Sequence, residues 1–359
     1  MSISATIADT NRLFNGLKDA NEALVASAEL FSQRLKDLNR MNTKPTCKYS
    51  LTNHVANFKA WLSQSHTTVP SCFPSLDRAL NGMDGLGLPI GLYVVGGESS
   101  AGKTTFLHAI MDGIAKSGHD VIIISLEMSA NELLSKSVSR ESFLKARREH
   151  PKSPWPHAYS YKKILKLPDA IQNGFLKPSD RDAILKTLDE YHEACNGHMI
   201  IRPNEIEGLS AKMVRNLVKD HIDETHKTPV LLIDYLQILK APDSSASDKS
   251  NIDQSIQTCA EISKEFQTPV FVISALNRVS YSPQASNKPP VKGLSAFKES
   301  GLIEYAADIA LMIEDLSPQG STTDKTIKIN VLKNRNGPKG GSLKFTFVPE
   351  FNFFLEDKS

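Results

Sequence analysis

Cysteine is scarce in this sequence, and the few that occur suit neither disulfides nor a metal site. The four are Cys47, Cys72, Cys195 and Cys259, which lie far apart without a Cys-x-x-Cys pair or a zinc-ligand spacing. This pattern excludes a zinc finger and a small disulfide-stapled domain, and it is typical of a reducing compartment.

Long apolar runs are missing as well. No stretch of about 18 apolar residues occurs, and the opening MSISATIADTNRLFNG lacks the apolar core of a secretory signal. We therefore expect a soluble, cytoplasmic protein without a membrane partner.

The sequence also lacks an excess of charge of one sign. Lysine and arginine number 42 against 40 acidic residues, a net charge of +2. A nucleic-acid site would therefore need local clustering of cations. The 359 residues, 40% of them apolar, can bury the core of one large domain or two smaller ones.

Residues 1–66 are predicted to form a small helical N-terminal region. Apolar residues three and four apart over 6–39 predict a long amphipathic helix with a heptad seam, and 51–64 predicts a shorter helix. Residues 41–50 between them have the composition of a linker. The long helix could bind another copy or a partner, or it could fold back on the shorter one.

Residues 67–359 alternate apolar strand patterns with helical ones, which predicts an α/β domain with a mostly parallel central sheet. Several strand patterns are continuous apolar runs, as expected where helices cover both faces of the sheet. The predicted strands are 92–96, 121–126, 230–234, 269–274, 308–313, 327–333 and 343–348.

The segment GGESSAGKTT, residues 96–105, has the spacing of a phosphate-binding P-loop between a strand and a helix. Its glycines let the backbone N–H groups face phosphate oxygens, Lys103 would reach the β- and γ-phosphates, and the Thr104 hydroxyl would bind Mg²⁺. This predicts ATP and Mg²⁺ as ligands. The predicted nucleotide contacts are Gly97, Ser100, Ala101, Gly102, Lys103, Thr104, Thr105 and Asp234.

Two carboxylates follow apolar strands of the predicted sheet. Asp234 ends VLLID and is placed to bind Mg²⁺, although an aspartate there could simply cap a strand. Glu127 follows VIIIS and is the candidate for orienting the attacking water. Alternatively, Glu127 interacts with the dipole of the helix that begins near Ser129.

Lys333 and Arg335 lie at the end of a late strand, before a turn, and should point to the same side of it. Taken alone, they form a solvated basic turn. In an assembled ring they could instead reach a neighbour's γ-phosphate.

Together, these segments resemble the C-terminal motor domain of the DnaB-type replicative helicases, within the RecA-like ATPases. The resemblance covers about residues 68–355. It implies a ring, usually a hexamer, with ATP sites between subunits and single-stranded DNA in the central channel. The matching segments are FPSLDRALNG (73–82), GGESSAGKTT, SLEMSANEL (125–133), LLIDYLQIL (231–239), LNR (276–278), FKESGLIEYAADIALMI (297–313) and KNRNGPKG (333–340).

The resemblance assigns roles to matching positions. The family's channel loop, which grips the DNA backbone, falls on Lys298, Glu299 and Gly301, with a lysine where an arginine is usual. The family's P-loop lysine and threonine, catalytic glutamate, Mg²⁺-associated aspartate, and trans-acting lysine and arginine finger fall on Lys103, Thr104, Glu127, Asp234, Lys333 and Arg335.

Two features depart from the family pattern. Ala275 stands where the family has a polar residue, typically glutamine, that senses the γ-phosphate and relays its state to the DNA loops. The region before residue 67 is shorter than the usual collar. The short region points to a phage- or mobile-element-type replication protein, and both features fit a relative that assembles with ATP as an adaptor and does not unwind DNA. A recombinase-like filament fits less well, because LEMS and KNRNG are helicase motifs.

Two basic stretches are candidates for DNA contact. The loop 279–293 carries Lys288 and Lys292, follows Arg278 and should lie near the channel. Residues 144–166 mix cations with aromatic residues, which is more often a solvated connector than a stacking surface. We also expect the N-terminal helix to offer a site for a loader or a primase.

Overall fold

The computed structural model describes residues 25, 27–34, 51–63, 69–81, 87–98, 100–202, 209–236, 239, 248–274, 305–318, 324–335, 337–338 and 340–357. The chain divides after Thr67 into two compact units.

In the first unit, residues 27–34 are helical, and helix α1 spans Leu51–Leu62. The remainder of the helix predicted over 6–39, and the linker predicted over 41–50, lie outside the described residues. Helix α1 exposes apolar side chains that are four, three and four residues apart and therefore share one face. They are Leu51, Val55, Phe58 and Leu62.

The second unit contains one sheet, in which the described part of the chain contributes nine strands in the order β3-β2-β4-β5-β1-β6-β7-β8-β9. Along this order, every neighbouring pair from β3 through β2, β4, β5 and β1 to β6 is parallel. The pairs β6–β7, β7–β8 and β8–β9 are antiparallel. Their bounds are β1 Gly91–Gly97, β2 Val121–Ser125, β3 Met199–Arg202, β4 Val230–Asp234, β5 Pro269–Ile273, β6 Ile309–Asp315, β7 Lys325–Asn334, β8 Ser342–Val348 and β9 Phe353–Glu356.

Helices cover both faces of this sheet, as the continuous apolar strands require. On β1, Tyr93 and Val95 pack in one core with helix α3, while Leu92 and Val94 pack in the other with helices α8 and α9. The helices are α2 Pro74–Asn81, α3 Lys103–Lys116, α4 Ala130–Glu149, α5 Tyr161–Leu165, α6 Leu167–Gln172, α7 Pro178–Cys195, α8 Ala211–Thr225 and α9 Asp248–Phe266.

The predicted α/β fold with a mostly parallel sheet is confirmed, and all seven predicted strands are present. Strands β3 and β9 were not predicted, because each has only four residues. Such short runs carry too little periodicity to separate them from loops.

The basic and aromatic stretch 144–166 packs against its own domain. The Trp155 ring meets those of Phe143 and Phe351 edge-on, with centroids 6.0 and 5.1 Å away. The Tyr159 hydroxyl donates a hydrogen bond to Asp180. These contacts favour a structural connector over a base-stacking surface.

Within the described ranges, no helix is both long enough and apolar enough to cross a membrane.

Candidate nucleotide site

The P-loop connects β1 to α3 through a backbone that turns left-handed twice, at Ser100 (φ 65°) and Gly102 (φ 90°). Gly102 is required for space as well as for its dihedral angle, since a Cβ there would lie 3.1 Å from the Phe354 ring. Helix α3 begins at once with Lys103 and has no side-chain cap. The N–H groups of the first helical turn are therefore placed to bind an anion, whereas the Ala101 N–H in the loop donates to the Glu98 carbonyl at 3.2 Å.

Lys103 spans the loop that it belongs to. Its Nζ donates to the carbonyl oxygens of Gly97 and Glu98, at 2.9 and 2.8 Å. Burial lowers the pKa of this amine, and the nearby Asp234 and Glu127 carboxylates oppose that shift. A phosphate group in the loop can replace the two carbonyls as the acceptor of these hydrogen bonds.

Asp234 and Thr104 offer oxygen atoms of the kind that Mg²⁺ prefers as ligands. Asp234 ends β4 and is 2% exposed. Burial raises the pKa of Asp234 to about 6, and a hydrogen bond to the Thr104 side chain opposes this. The Oδ2 atom of Asp234 is buried and has no hydrogen-bond partner within the described part of the chain. Mg²⁺ commonly binds one or two protein oxygens, with waters and phosphates completing its shell, so these residues fit the ion.

Glu127 lies near Asp234 and Lys103. The pairing of β2 with β4 extends one residue past the strands, because the Leu126 N–H donates to the Asp234 carbonyl at 2.7 Å. Glu127 follows directly and is exposed. Its charge helps raise the pKa of Asp234 and counters the lowered pKa of Lys103.

The alternative role for Glu127, an interaction with the dipole of helix α4, stays a prediction. Helix α4 has Ser129 as its N-cap, and Ser129 and Glu132 form a reciprocal capping box. Glu127 lies two residues before that cap, and the capping hydrogen bonds are made by Ser129 and Glu132.

A second lysine near the loop escaped the sequence reasoning. Lys136, on α4, donates from Nζ to the Thr105 hydroxyl at 3.3 Å, and its Nζ lies 5.7 Å from the centroid of the Tyr161 ring. Burial lowers its pKa, whereas the Asp234 and Glu127 charges oppose that shift. Lys136 follows Ser129 and Glu132 at intervals that place all three on one helical face, but this spacing gives no sign that the face meets the P-loop.

Lys333 and Arg335 lie at the other edge of the sheet. The register pairs Tyr93 with Ile309 and Ile309 with Asn334, which puts Arg335 beside the amino ends of β1 and β6. A strand rises about 3.3 Å per residue, so Arg335 lies about 17 Å along the strands from the level of Gly97, and two strands to the side. Neither cation can reach a phosphate bound in the P-loop of the same chain.

The two cations nevertheless share one surface, as their sequence spacing predicted. The Tyr305 carbonyl accepts hydrogen bonds from Arg335 Nη2 at 3.0 Å and from Lys333 Nζ at 3.5 Å. The structure thus brings Lys103, Thr104, Glu127 and Asp234 together in one group, and Lys333 and Arg335 in another.

The predicted DNA contacts fall outside the described residues, as does Ala275. These predicted contacts are Arg278, Lys288, Lys292, Lys298, Glu299 and Gly301.

Known proteins similar in sequence are replicative helicases. The chain is 27% identical over 296 residues to the replicative DNA helicase DnaB of Geobacillus stearothermophilus, which covers 80% of this chain and 56% of that protein. It is 27% identical over 353 residues to a probable replicative DNA helicase of Trieres chinensis, covering 94% of this chain and 64% of that protein. The chain thus spans little more than half the length of these relatives.

Solved structures of similar proteins share the fold. An ATPase domain solved on its own superposes with a TM-score of 0.67 at 20% identity, over 86% of this chain and 99% of that domain. A DnaB-like replicative helicase, solved in a study of its interactions with primase, gives a TM-score of 0.65 at 18% identity over 99% of this chain and 76% of its own.

The sequence profile of the DnaB-like helicase C terminal domain matches residues 68–153 and 160–356, which is most of the second unit and more than half of the chain. By that match, this chain belongs to the DnaB-like helicase C-terminal domain family.

Proposed function

We propose that this protein is an ATP-driven, ring-forming DNA helicase that translocates on single-stranded DNA during replication. The observation that carries the proposal is the separation of two groups of charged residues. One group surrounds the P-loop, while Lys333 and Arg335 stand at the far edge, out of reach of that loop. Such a division suits a ring in which each subunit completes its neighbour's site, and a hexamer is the usual form in this family.

Within one subunit, the P-loop N–H groups and Lys103 bind the phosphates of ATP. Thr104 and Asp234 would hold Mg²⁺, which would supply positive charge to neutralise the phosphates. The Glu127 carboxylate orients the attacking water and accepts its proton. The positive charge of Lys136 offsets the negative charges of the nearby Asp234 and Glu127 carboxylates.

From the neighbouring subunit, Lys333 and Arg335 approach the γ-phosphate and stabilise the charge that develops during transfer. Cations supplied in trans to phosphoryl transfer raise turnover by about 10³- to 10⁵-fold in related phosphate-binding ATPases and GTPases. Each site would therefore hydrolyse ATP only at an interface between two subunits.

DNA contact is proposed for the segments that face the channel in this family. Cations in such loops meet phosphates without reading the bases, so binding should weaken as salt rises. The proposed contacts are Arg278, Lys288, Lys292, Lys298, Glu299 and Gly301.

The exposed apolar face of helix α1 supports a protein partner for the N-terminal region. Four apolar side chains in one stripe form a surface that packing against another protein would bury. We propose that this stripe binds another copy of the chain, or a replication partner such as a loader or a primase.

The test is ATP hydrolysis with and without single-stranded DNA, together with displacement of a strand from a forked duplex. A Lys103→Ala variant serves as the control. A helicase shows DNA-stimulated hydrolysis and strand displacement, both lost in the variant. ATP hydrolysis at the same rate with and without DNA, together with no strand displacement, would contradict the proposal.

Ala275 favours a second candidate, a non-unwinding adaptor that assembles with ATP. Alanine has no hydrogen-bond donor with which to sense the γ-phosphate. Such a protein would form rings when ATP is added, yet would fail the strand-displacement assay.

A further inference from the structure

We propose that Asp308 is a positioning residue for Arg335, holding the guanidinium in place before a neighbour's nucleotide arrives. This inference rests on the proposed function, in which Arg335 acts on the adjacent subunit's γ-phosphate. Asp308 itself touches no nucleotide in this account and acts only through Arg335.

Asp308 is fixed between two strands. Its Oδ2 accepts a hydrogen bond from the Leu92 N–H at 3.0 Å, and its own N–H donates to the Leu92 carbonyl, also at 3.0 Å. The residue is buried, with 7% of its surface exposed. Its remaining oxygen, Oδ1, lies 2.8 Å from Nη1 of Arg335.

The surrounding chain leaves room for this carboxylate. A Cβ at residue 91 would lie 2.9 Å from the Asp308 Cβ, closer than two such atoms approach in proteins, and glycine occupies that position. Gly91 therefore lets β1 run directly beside Asp308. A larger residue there would displace the carboxylate from Arg335.

The backbone of Arg335 is held as well as its side chain. The Arg335 N–H donates to the Asp308 carbonyl at 2.9 Å. The preceding residue, Asn334, is 1% exposed and donates from Nδ2 to the Leu80 carbonyl at 2.7 Å, which ties this turn to helix α2. Side chain and main chain thus converge on one fixed orientation.

The guanidinium remains available despite these contacts. Nη1 and Nη2 hold Asp308 and Tyr305 along one edge, and the Arg335 side chain is still 46% exposed. A guanidinium carries five N–H donors, so others can face a phosphate. Because the long side chain is ordered in advance, less freedom is lost when the transition state forms.

The test replaces Asp308 with asparagine in the full chain and measures steady-state ATP hydrolysis. The asparagine would keep an acceptor for the Leu92 amide but lose the charge that holds Arg335. We expect kcat to fall about tenfold, the cost of one hydrogen bond to a charged group, with KM for ATP within about twofold of the parent. An Asp308→Ser variant should show the same loss if Asp308→Asn does not fold.

The matched control is Asp315→Asn, at the opposite end of β6. Asp315 also pairs with a cation, accepting from Lys325 Nζ at 2.8 Å, but it lies far from Arg335. Its replacement should leave kcat unchanged. An equal loss of kcat in both variants would overturn the proposal, because any charge lost from this strand would then have the same effect.

A double-mutant cycle separates positioning from general damage. In an Arg335→Ala background, Asp308→Asn should lower kcat no further, because its effect passes through Arg335. A further tenfold loss of kcat in the double variant would overturn the proposal. A parental kcat in the single Asp308→Asn variant, with Arg335→Ala inactive, would overturn it as well. If Arg335→Ala itself turned over at the parental rate, the trans role of Arg335 would fail, and the proposal with it.

Discussion

The two charged edges of the sheet are built in opposite ways. At the carboxyl edge, Asp234 is buried and Lys103 is partly buried, and burial shifts both pKa values toward the neutral forms. At the amino edge, Arg335 is largely exposed and is held by Asp308 and the Tyr305 carbonyl. The first edge combines a buried carboxylate with a partly buried lysine, whereas the second presents Arg335 on the surface.

Strand direction accounts for this difference. Strands β1, β2 and β4 run in parallel, so the segments after them meet at one edge. Strand β7 runs antiparallel to β6, so its last residues must emerge at the other edge. A cation following β7 cannot serve the P-loop of its own chain and is instead directed outward.

The largest expected effect separates binding from turnover at the two edges. Lys103→Ala should weaken nucleotide binding and abolish hydrolysis, because the phosphates lose their buried cation. Arg335→Ala should also lower kcat by about 10³-fold or more, yet leave nucleotide affinity within about threefold, since it lies far from the bound phosphates. Fluorescent-nucleotide titration and phosphate release measure the two quantities. Lys116→Ala, on the same helix as Lys103, is the control. A loss of nucleotide affinity in Arg335→Ala would show that the two edges do not divide binding and turnover between them.

The Glu127→Gln variant tests the role of one residue at the carboxyl edge. It removes the base without changing shape, so kcat should fall about 10²- to 10⁴-fold while ATP still binds. Rapid-quench assays and nucleotide titration follow the two steps. Glu132→Gln, which alters the cap of α4, should keep most of the turnover. A Glu127→Gln variant with parental turnover would return Glu127 to an ordinary surface role.

The pH dependence should belong to the carboxyl edge alone. The pKa of Asp234 is raised from 3.8 to about 6, chiefly by burial. Between these values the folded, ligand-free protein binds more protons than the unfolded chain, so this group's contribution to stability falls as pH rises. Mg²⁺ needs the ionised form, so Mg²⁺–nucleotide affinity should fall about tenfold for each pH unit below that pKa.

Thermal shift with and without a Mg²⁺–nucleotide, across this pH range, tests the assignment. Asp234→Asn should remove both the Mg²⁺ effect and its pH dependence, and Arg335→Ala should keep the parental profile. A pH-independent affinity in the parent protein would show that Asp234 does not titrate at the site.

The smallest effect is expected at Lys136. Lys136→Met retains most of the apolar stem beside Tyr161 but removes the charge that faces Asp234 and Glu127. We expect kcat/KM to fall about tenfold, as for one charge-assisted contact. Lys145→Met, on the exposed side of the same helix, serves as the control. An unchanged kcat/KM would mean that Lys136 serves only to pack α4 against α3.

The grouping of Lys103, Thr104 and Asp234 could be predicted from the sequence because its determinants are local, while the roles of these residues stay predictions. The glycine spacing of the P-loop specifies its backbone, and an apolar run ending in an acid specifies where Asp234 emerges. Lys136 was missed because its proximity depends on how α4 packs on α3, which no single motif encodes. Burial of the Asp234 carboxylate, and hence its raised pKa, likewise emerges only from packing.

The amino edge was predicted less completely. The spacing of Lys333 and Arg335 correctly placed both on one surface, but it gave no sign of Asp308, which lies 27 residues earlier than Arg335 in the sequence. That contact arises from the pairing of β1, β6 and β7, which is a long-range property. Whether the surface meets a neighbouring P-loop remains a prediction of the resemblance and of strand direction.

The sharing of each ATP site between two subunits can be tested by mixing two variants that are each inactive. Lys103→Ala subunits keep Arg335, and Arg335→Ala subunits keep the P-loop. In mixed rings, about a quarter of the interfaces should pair an intact P-loop with an intact Arg335, and hydrolysis should reappear there. Recovery toward that level on mixing is the expected result, and a mixture as inactive as its two components would contradict the account.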